Sequence, residues 1–289
     1  MATPFLKMHG IGNDFVVLDT RVSGRVVSAE AARAIGDRRR GIGFDQLLVM
    51  AKPREGGDVR MIIFNPDGTE AESCGNGTRC VARLVLDETG KDRVVIETLG
   101  GRLIARDAGG GLVTVDMGAP GLEWEQIPLS ERMDTRRIDV QIGPIDKPYL
   151  WGPAAVSMGN PHAVFFVDDT ATIQLDRVGP LIENHPIFPE RANVSFAEVT
   201  DPTHVKLRVW ERSAGATLAC GTAACATLVA GVRLNKLERK ADIALPGGTL
   251  TIEWREGDNH VLMTGPAEQS YAGELGDHLE AVLTHAAAA

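Results

Sequence analysis

Apolar positions along the chain fall into short runs separated by turn residues. Phe15-Val16-Val17-Leu18, Leu47-Leu48-Val49-Met50 and Val59-Arg60-Met61-Ile62-Ile63-Phe64 are compact and rich in β-branched residues. Arg93-Val94-Val95-Ile96-Glu97 and Leu112-Val113-Thr114-Val115-Asp116 alternate apolar with polar, the two-residue period of a half-buried strand. Pro53, Gly56-Gly57, Pro66-Asp67-Gly68 and Gly109-Gly110-Gly111 bound these runs. Two segments follow a helical period instead. One spans about residues 76 to 88, with Cys80, Val81, Leu84 and Val85 on one stripe; the other spans about 222 to 234, with Ala226, Leu228, Val229 and Val232. Both stripes are broad, so each helix is predicted to lie largely buried inside its own domain. Many short strands around one helix predict an α+β half with a mostly antiparallel sheet. The stretch from about Pro120 to Pro153 holds five prolines and no long apolar run, and reads as a linker.

The two helical segments belong to an internal repeat. Gly12-Asn13-Asp14-Phe15-Val16-Val17-Leu18-Asp19 resembles Gly159-Asn160-Pro161-His162-Ala163-Val164-Phe165-Phe166-Val167-Asp168. Ser73-Cys74-Gly75-Asn76-Gly77 resembles Ala219-Cys220-Gly221-Thr222-Ala223, and Met117-Gly118-Ala119-Pro120 resembles Thr264-Gly265-Pro266. All three matches keep their order at an offset of 146 or 147 residues. That period is far longer than a solenoid repeat, so it reads as two homologous domains. The expected division is 1–120, carrying Cys74, and 121–266, carrying Cys220, with the tail 267–289 returning to the first half. The Ala286 to Ala289 run reads as a frayed end.

Composition narrows the function. With 30 Lys+Arg against 39 Asp+Glu the net charge is −9. Nucleic-acid binders carry a basic face, and a polybasic membrane anchor needs the same sign, so neither partner is expected. The 44% apolar and 24% charged residues are those of an ordinary globular protein. No apolar run approaches the roughly 18 residues of a membrane span. The start, Met1-Ala2-Thr3-Pro4-Phe5-Leu6-Lys7, lacks a basic segment followed by an apolar core, so no secretory leader is expected. Four cysteines are too few for a disulfide scaffold at 289 residues, which favours a reduced, cytoplasmic protein. There is no Walker loop, no G-x-G-x-x-G opening a helix after a strand, no Cys-x-x-Cys and no His-Glu-x-x-His, so neither a nucleotide nor a metal site is expected.

The chemistry sits where each Cys-Gly pair enters its helix. Glycine lets a ligand approach the backbone N–H groups. A helix N-terminus offers unpaired N–H donors and partial positive charge, which favour an ionised thiol and cradle a carboxylate. A buried free cysteine acts as a small hydrophobe, and Cys80 and Cys225, inside the apolar stripes, are read that way. Cys74 and Cys220 differ because both halves keep them beside the same glycine. One acid–base group per half suits inversion of a stereocentre: one group removes a proton from one face of a carbon and the other delivers a proton to the opposite face. The carbanion formed next to a carboxylate needs aimed donors and exclusion of water.

With these residues in view, the sequence resembles the diaminopimelate epimerase family. The resemblance rests on His9-Gly10-Ile11-Gly12-Asn13-Asp14-Phe15, Asn65-Pro66-Asp67-Gly68-Thr69, Ser73-Cys74-Gly75-Asn76-Gly77-Thr78-Arg79-Cys80, Met158-Gly159-Asn160-Pro161-His162-Ala163, Asn193-Val194, and Glu211-Arg212 leading to Ala219-Cys220-Gly221-Thr222. It runs from about residue 5 to residue 266. It implies two pseudo-symmetric, barrel-like halves around central helices, an active site in the cleft between them, a homodimer, and interconversion of LL- and meso-2,6-diaminopimelate without a cofactor, in lysine and cell-wall precursor synthesis. Cys74 and Cys220 would be the acid–base pair, assisted by His162 and Glu211. The N–H groups of Gly75, Asn76, Gly221 and Thr222 would hold the reacting carboxylate. Asn13, Gln46, Asn65, Asn160, Asn193, Glu211 and Arg212 would contact substrate.

Residue chemistry bears on each assignment separately. Arg212 offers a planar fork for a distal carboxylate, and asparagines both donate and accept. Against this, Asn13, Asn160 and Asn193 lie near turns, where asparagine is common for backbone reasons. Gln46 beside Asp45 is the thinnest single case. Glu211 and Arg212 would also make an ordinary solvated ion pair, and His162 a satisfied strand histidine. Arg38-Arg39-Arg40 reads as a solvated helix end. Ser213 and Ala223 stand where the family often has glycine. Two rivals stay open: a proline or hydroxyproline racemase-like enzyme, and a non-catalytic protein with a switchable Cys74–Cys220 disulfide.

Overall fold

The computed structural model describes residues 2–72 and 74–285; Ser73 and the Ala286 to Ala289 run lie outside the described residues. The chain divides into two compact units, Met1–Val115 with Thr264–Ala289, and Asp116–Met263.

In the first unit, β1 (Pro4–Gly10) and β2 (Asn13–Asp19) form an antiparallel hairpin with Gly10 opposite Asn13. A short β3 (Arg25–Val26) precedes α1 (Ala29–Gly36), whose N-cap Ser28 accepts the Ala31 N–H. β4 (Gln46–Ala51) then lies parallel to β2, with Gln46 opposite Phe15. β5 (Val59–Phe64) and β6 (Glu70–Ala71) add antiparallel. The long helix α2 (Gly75–Thr89) crosses over to β7 (Arg93–Thr98), which is parallel to β5; β8 (Gly101–Gly109) pairs antiparallel with β7, and β9 (Leu112–Asp116) follows.

The second unit opens with a small hairpin, β10 (Gln141–Ile142) and β11 (Leu150–Trp151), and then repeats the order of the first. β12 (Ala154–Ser157) and β13 (Pro161–Phe166) form the antiparallel hairpin, and α3 (Leu175–Glu183) stands where α1 stood. β14 (Asn193–Asp201) lies parallel to β13 with Asn193 opposite His162, and β15 (His204–Glu211) and β16 (Gly215–Thr217) add antiparallel. The helix α4 (Gly221–Arg233) leads to β17 (Lys240–Leu245), parallel to β15, then to the antiparallel β18 (Gly248–Trp254) and to β19 (Val261–Pro266). The chain then returns to the first unit, where β20 (Glu268–Glu274) pairs with β1, α5 (Asp277–Glu280) follows, and β21 (Thr284–His285) pairs with β3.

The fold is thus α+β, with two pseudo-symmetric halves that are mostly antiparallel. Each half contains two parallel pairs at equivalent places, because a parallel neighbour needs a crossover long enough for a helix. The two long helices begin and end within one residue of the segments predicted from their apolar stripes. Each lies against the strands of its own unit. Val81, Val85 and Leu86 of α2 are buried, as is α4 from Ala223 to Gly231. Each such valine or leucine side chain stabilises the helix's position by about 1.5–3 kcal/mol.

The expected linker is not one. Ile127, Leu129, Ile138, Val140 and Leu150 are buried in one cluster with Phe165, Val194 and Phe196 of the second unit. Thr135 Oγ1 donates to the Leu122 carbonyl at 2.6 Å, fastening the same stretch. Isolated apolar residues spaced among prolines cover a sheet face without any periodicity that would announce a strand or helix. In the first unit Leu275 and Leu279 join Val16, Leu47 and Phe44 in the core, so the returning segment is part of it. Among the described residues no helix is long and apolar enough to cross a membrane.

Candidate functional site

In the first unit the β1–β2 turn uses Gly12 at φ 87° to swing Asn13 toward the start of α2. Asn76, in the first turn of that helix, donates through Nδ2 to Asn13 Oδ1 at 3.2 Å. Asn13 Nδ2 in turn donates to Asp45 Oδ2 at 2.8 Å. Gln46 Nε2, at the start of β4, donates to Asn65 Oδ1 at 3.1 Å, and Asn65 Nδ2, in the turn between β5 and β6, donates to Thr69 Oγ1 at 3.1 Å. Cys74 occupies the N-cap of α2 and is half-buried; its Sγ accepts the Gly77 N–H at 3.2 Å. Sulfur is not among the usual capping groups, which are Ser, Thr, Asp and Asn. A cap that favours stability alone does not explain the choice.

The second unit holds an equivalent set. Gly159, at φ 85°, turns Asn160 toward α4. Asn160 Nδ2 lies 3.5 Å from Thr222 Oγ1, and Thr222 Oγ1 lies 3.5 Å from Cys220 Sγ. His162 is fully buried, with Nε2 2.8 Å from Asn160 Oδ1. Burial, reinforced by the nearby Arg212 charge, pulls its pKa down to about 3, so it is a neutral imidazole near neutral pH. Asn193 Oδ1 accepts the Arg212 N–H at 2.9 Å, and its Nδ2 donates to the Pro161 carbonyl at 3.2 Å. Glu211 Oε1 accepts from Thr217 Oγ1 at 2.5 Å. Burial and then the neighbouring Glu211 carboxylate push the Cys220 thiol well above its ordinary value, while Thr222 and the Ala223 N–H act in the opposite sense. Arg212 donates from Nη1 to the Glu190 carbonyl at 3.0 Å.

Asn13 and Asn160, Gln46 and Asn193, and Asn65 and Arg212 each stand 147 apart in the chain. Asn13 and Asn160 each bond the second residue of their unit's central helix, whereas Gln46 meets Asn65 through side chains and Asn193 meets the Arg212 backbone N–H.

Several features were not foreseen. Arg79 is fully buried. It donates from Nη1 to Asn76 Oδ1 at 3.0 Å and from Nε to the Pro266 carbonyl at 3.1 Å. Its position inside the Cys74-to-Cys80 motif was the available signal. Arg38 is not merely a solvated helix end: it donates to Asp14 at 2.7 Å and to Asp45 at 2.9 Å, behind Asn13. Although burial opposes it, Arg38 and Lys7 hold the Asp14 carboxyl below the usual carboxylate range. Burial pushes the Cys80 thiol up to about 12, as befits a core residue. Ala223 is fully buried in an unbroken α4, whereas Ser213 takes φ 68°, a left-handed conformation that a glycine would adopt without steric cost. Asp116, Asp258 and His260 bring possible ligand atoms within 4.8 Å of one another, but Arg255 Nη2 already bonds both carboxylates. A cavity of about 320 Å³ in the first unit, lined by Phe5, Leu6, Val17, Met50 and Leu84, includes none of the candidate residues.

The family model for diaminopimelate epimerase matches residues 5–123 and 154–269. The chain belongs to the diaminopimelate epimerase family. It is 52% identical to the diaminopimelate epimerase of Afipia carboxidovorans over 282 residues, covering 96% of this chain and 97% of that one. It is 54% identical to that of Nitrobacter hamburgensis over 272 residues, covering 93% of each. Among solved structures it is similar to a phenazine biosynthesis protein of the PhzF family from Enterococcus faecalis, with TM-score 0.68, 17% identity, and 96% and 100% of the two chains covered. It is also similar to a hydroxyproline epimerase from Agrobacterium vitis, with TM-score 0.66, 16% identity, and 95% and 94% covered. These two likenesses concern the fold. As a member of the diaminopimelate epimerase family the protein is an isomerase of the racemase and epimerase class acting on amino acids.

Proposed function

We propose that the protein interconverts LL- and meso-2,6-diaminopimelate by a two-base mechanism without a cofactor, supplying lysine and peptidoglycan precursor synthesis in the cytoplasm as a homodimer. One thiol acts on each face of the α-carbon. In one direction the Cys74 thiolate takes the α-proton while the Cys220 thiol donates its own to the opposite face; the reverse direction exchanges the roles. The N–H groups of Gly75 and Asn76, and of Gly221 and Thr222, receive the charge that develops on the α-carboxylate. Asn13, Gln46, Asn65, Asn160 and Asn193 read the ammonium and carboxylate groups, and Arg212 takes the distal carboxylate as a bidentate fork. Glu211 serves as the proton acceptor beside Cys220, and neutral His162 fixes Asn160 and assists transfer.

The observation that carries this reading is the repeated half-site: in both units a Cys-Gly pair starts the central helix, and the second helical residue bonds the asparagine of the first hairpin. Two chemically equal bases are what a reversible inversion requires.

The test is turnover of LL-diaminopimelate, proline and hydroxyproline by the purified protein, read by chiral separation. Epimerisation of diaminopimelate alone is expected. Activity confined to the ring substrates would replace the reading with a proline racemase-like one. Absence of α-deuteration of any diamino acid in heavy water would end the enzymatic reading. Light scattering checks the dimer, for which about twice the 30.9 kDa chain mass is expected.

A further inference from the structure

We propose that Glu183 is a positioning residue for Arg212: its buried carboxylate pins the turn between β15 and β16 from which the guanidinium is presented. Glu183 ends α3 and is 6% exposed. Its Oε2 accepts the Trp210 indole Nε1–H at 2.7 Å, and its Oε1 accepts the backbone N–H of Ser213 at 3.0 Å. One carboxylate therefore grips the residues on either side of Glu211-Arg212. Its cationic partner is Arg191, half-exposed, with Nη1 at 3.4 Å.

A carboxylate is costly to bury unless several donors converge on it, and here they do. The same helix also fixes the indole: Gly179, one turn before Glu183, lies so close that a Cβ there would meet Trp210 ring carbons at 2.4 Å. The turn needs this hold because Ser213 sits at φ 68°, a region that serine disfavours and glycine does not. The Ser213 N–H bond to Glu183 compensates for the missing glycine. Within the turn the Ala214 N–H returns to the Glu211 carbonyl at 3.1 Å, and the Arg212 N–H goes to Asn193 Oδ1, so the Arg212 backbone is held from both sides. Glu211 has its own tie to Thr217, so loss of Glu183 falls chiefly on Arg212.

The inference rests on Arg212 binding the distal carboxylate, as proposed above. Its test uses the full chain and the variants Glu183→Gln, Trp210→Phe, Ser213→Gly and the double variant Glu183→Gln/Ser213→Gly. Glu183→Gln keeps the volume but replaces one acceptor oxygen by a donor. It is expected to raise KM for LL-diaminopimelate about tenfold while kcat falls less than threefold. Trp210→Phe, which loses one of the two bonds, is expected to fall between wild type and Glu183→Gln. Adding Ser213→Gly should restore most of the lost KM, because glycine holds the turn unaided. A folded Glu183→Gln protein with wild-type KM, or a double variant with no recovery, would overturn the proposal. Were the wild type inactive on diaminopimelate, the functional reading would fail by itself. Glu183 would then be judged by hydrogen exchange at the Ser213 amide and the Trp210 indole, expected to quicken at least tenfold in Glu183→Gln; unchanged exchange would overturn it.

Discussion

Asn76 donates to Asn13 through a side-chain amide whose direction is not free: Arg79 holds Asn76 Oδ1 at 3.0 Å, so Nδ2 must face Asn13 Oδ1 at 3.2 Å. Asp45 fixes the far end by accepting from Asn13 Nδ2 at 2.8 Å. A fully buried guanidinium therefore sets the orientation of two proposed substrate contacts. Arg79→Met should leave the Asn76 and Pro266 oxygens without this donor, and each buried acceptor so deprived costs about 1–3 kcal/mol. We expect a loss of stability of about 2–6 kcal/mol by denaturant titration. Arg79→Lys, which cannot span both acceptors with a planar fork, should lose stability and raise KM. Wild-type KM in Arg79→Lys would contradict the orienting role.

Acid should weaken the fold through His162. Its pKa is about 3 in the folded protein, well below the ordinary histidine value near 6.5. Between those limits the unfolded chain binds a proton that the folded chain refuses, so stability falls as pH falls across that window. The slope from this group reaches about 1.4 kcal/mol per pH unit. Unfolding titrations at pH 7 and pH 5 should show His162→Gln losing less stability than wild type over that interval. Parallel losses would show that His162 is not held neutral.

A side chain at Gly77 would crowd Leu48 and the Cys74 thiol. A Cβ there would lie 2.9 Å from Leu48 Cδ2 and 3.3 Å from Cys74 Sγ. Gly77→Ala should displace the thiol and cut kcat at least tenfold, with a stability loss of about 1–3 kcal/mol from overpacking. A variant with wild-type kcat would show that the first turn of α2 tolerates movement.

Arg212→Lys keeps the charge but loses the fork. We expect KM for LL-diaminopimelate to rise at least tenfold, since a planar pair of donors is replaced by a point charge. An unchanged KM would place the distal carboxylate elsewhere.

Some of this was legible in the residue order because periodicity and repetition are local signals. The stripes through Val81 and Val85, and through Leu228 and Val229, located α2 and α4 to within a residue, and the Cys-Gly pairs marked their starts. Other features depend on distant partners. Arg79 reads as an ordinary helix cation until Pro266 and Asn76 are seen to close over it. Glu183 has no motif at all; its meaning comes from a turn 30 residues away. The 120–153 stretch looked like a linker because prolines hid the apolar residues that cap the second core. Gln46, the thinnest case in the sequence, has a partner only the fold reveals: Asn65, 19 residues away, accepts its amide.

The most direct measurement of the central claim follows deuterium at the α-carbon in heavy water, with LL- and meso-diaminopimelate offered separately to wild type, Cys74→Ser and Cys220→Ser. The account predicts that wild type labels each substrate and inverts it. Each serine variant should lose epimerisation by several orders of magnitude, retaining at most exchange from one face, and with opposite substrate preference in the two variants. Normal inversion after loss of either thiol would contradict it.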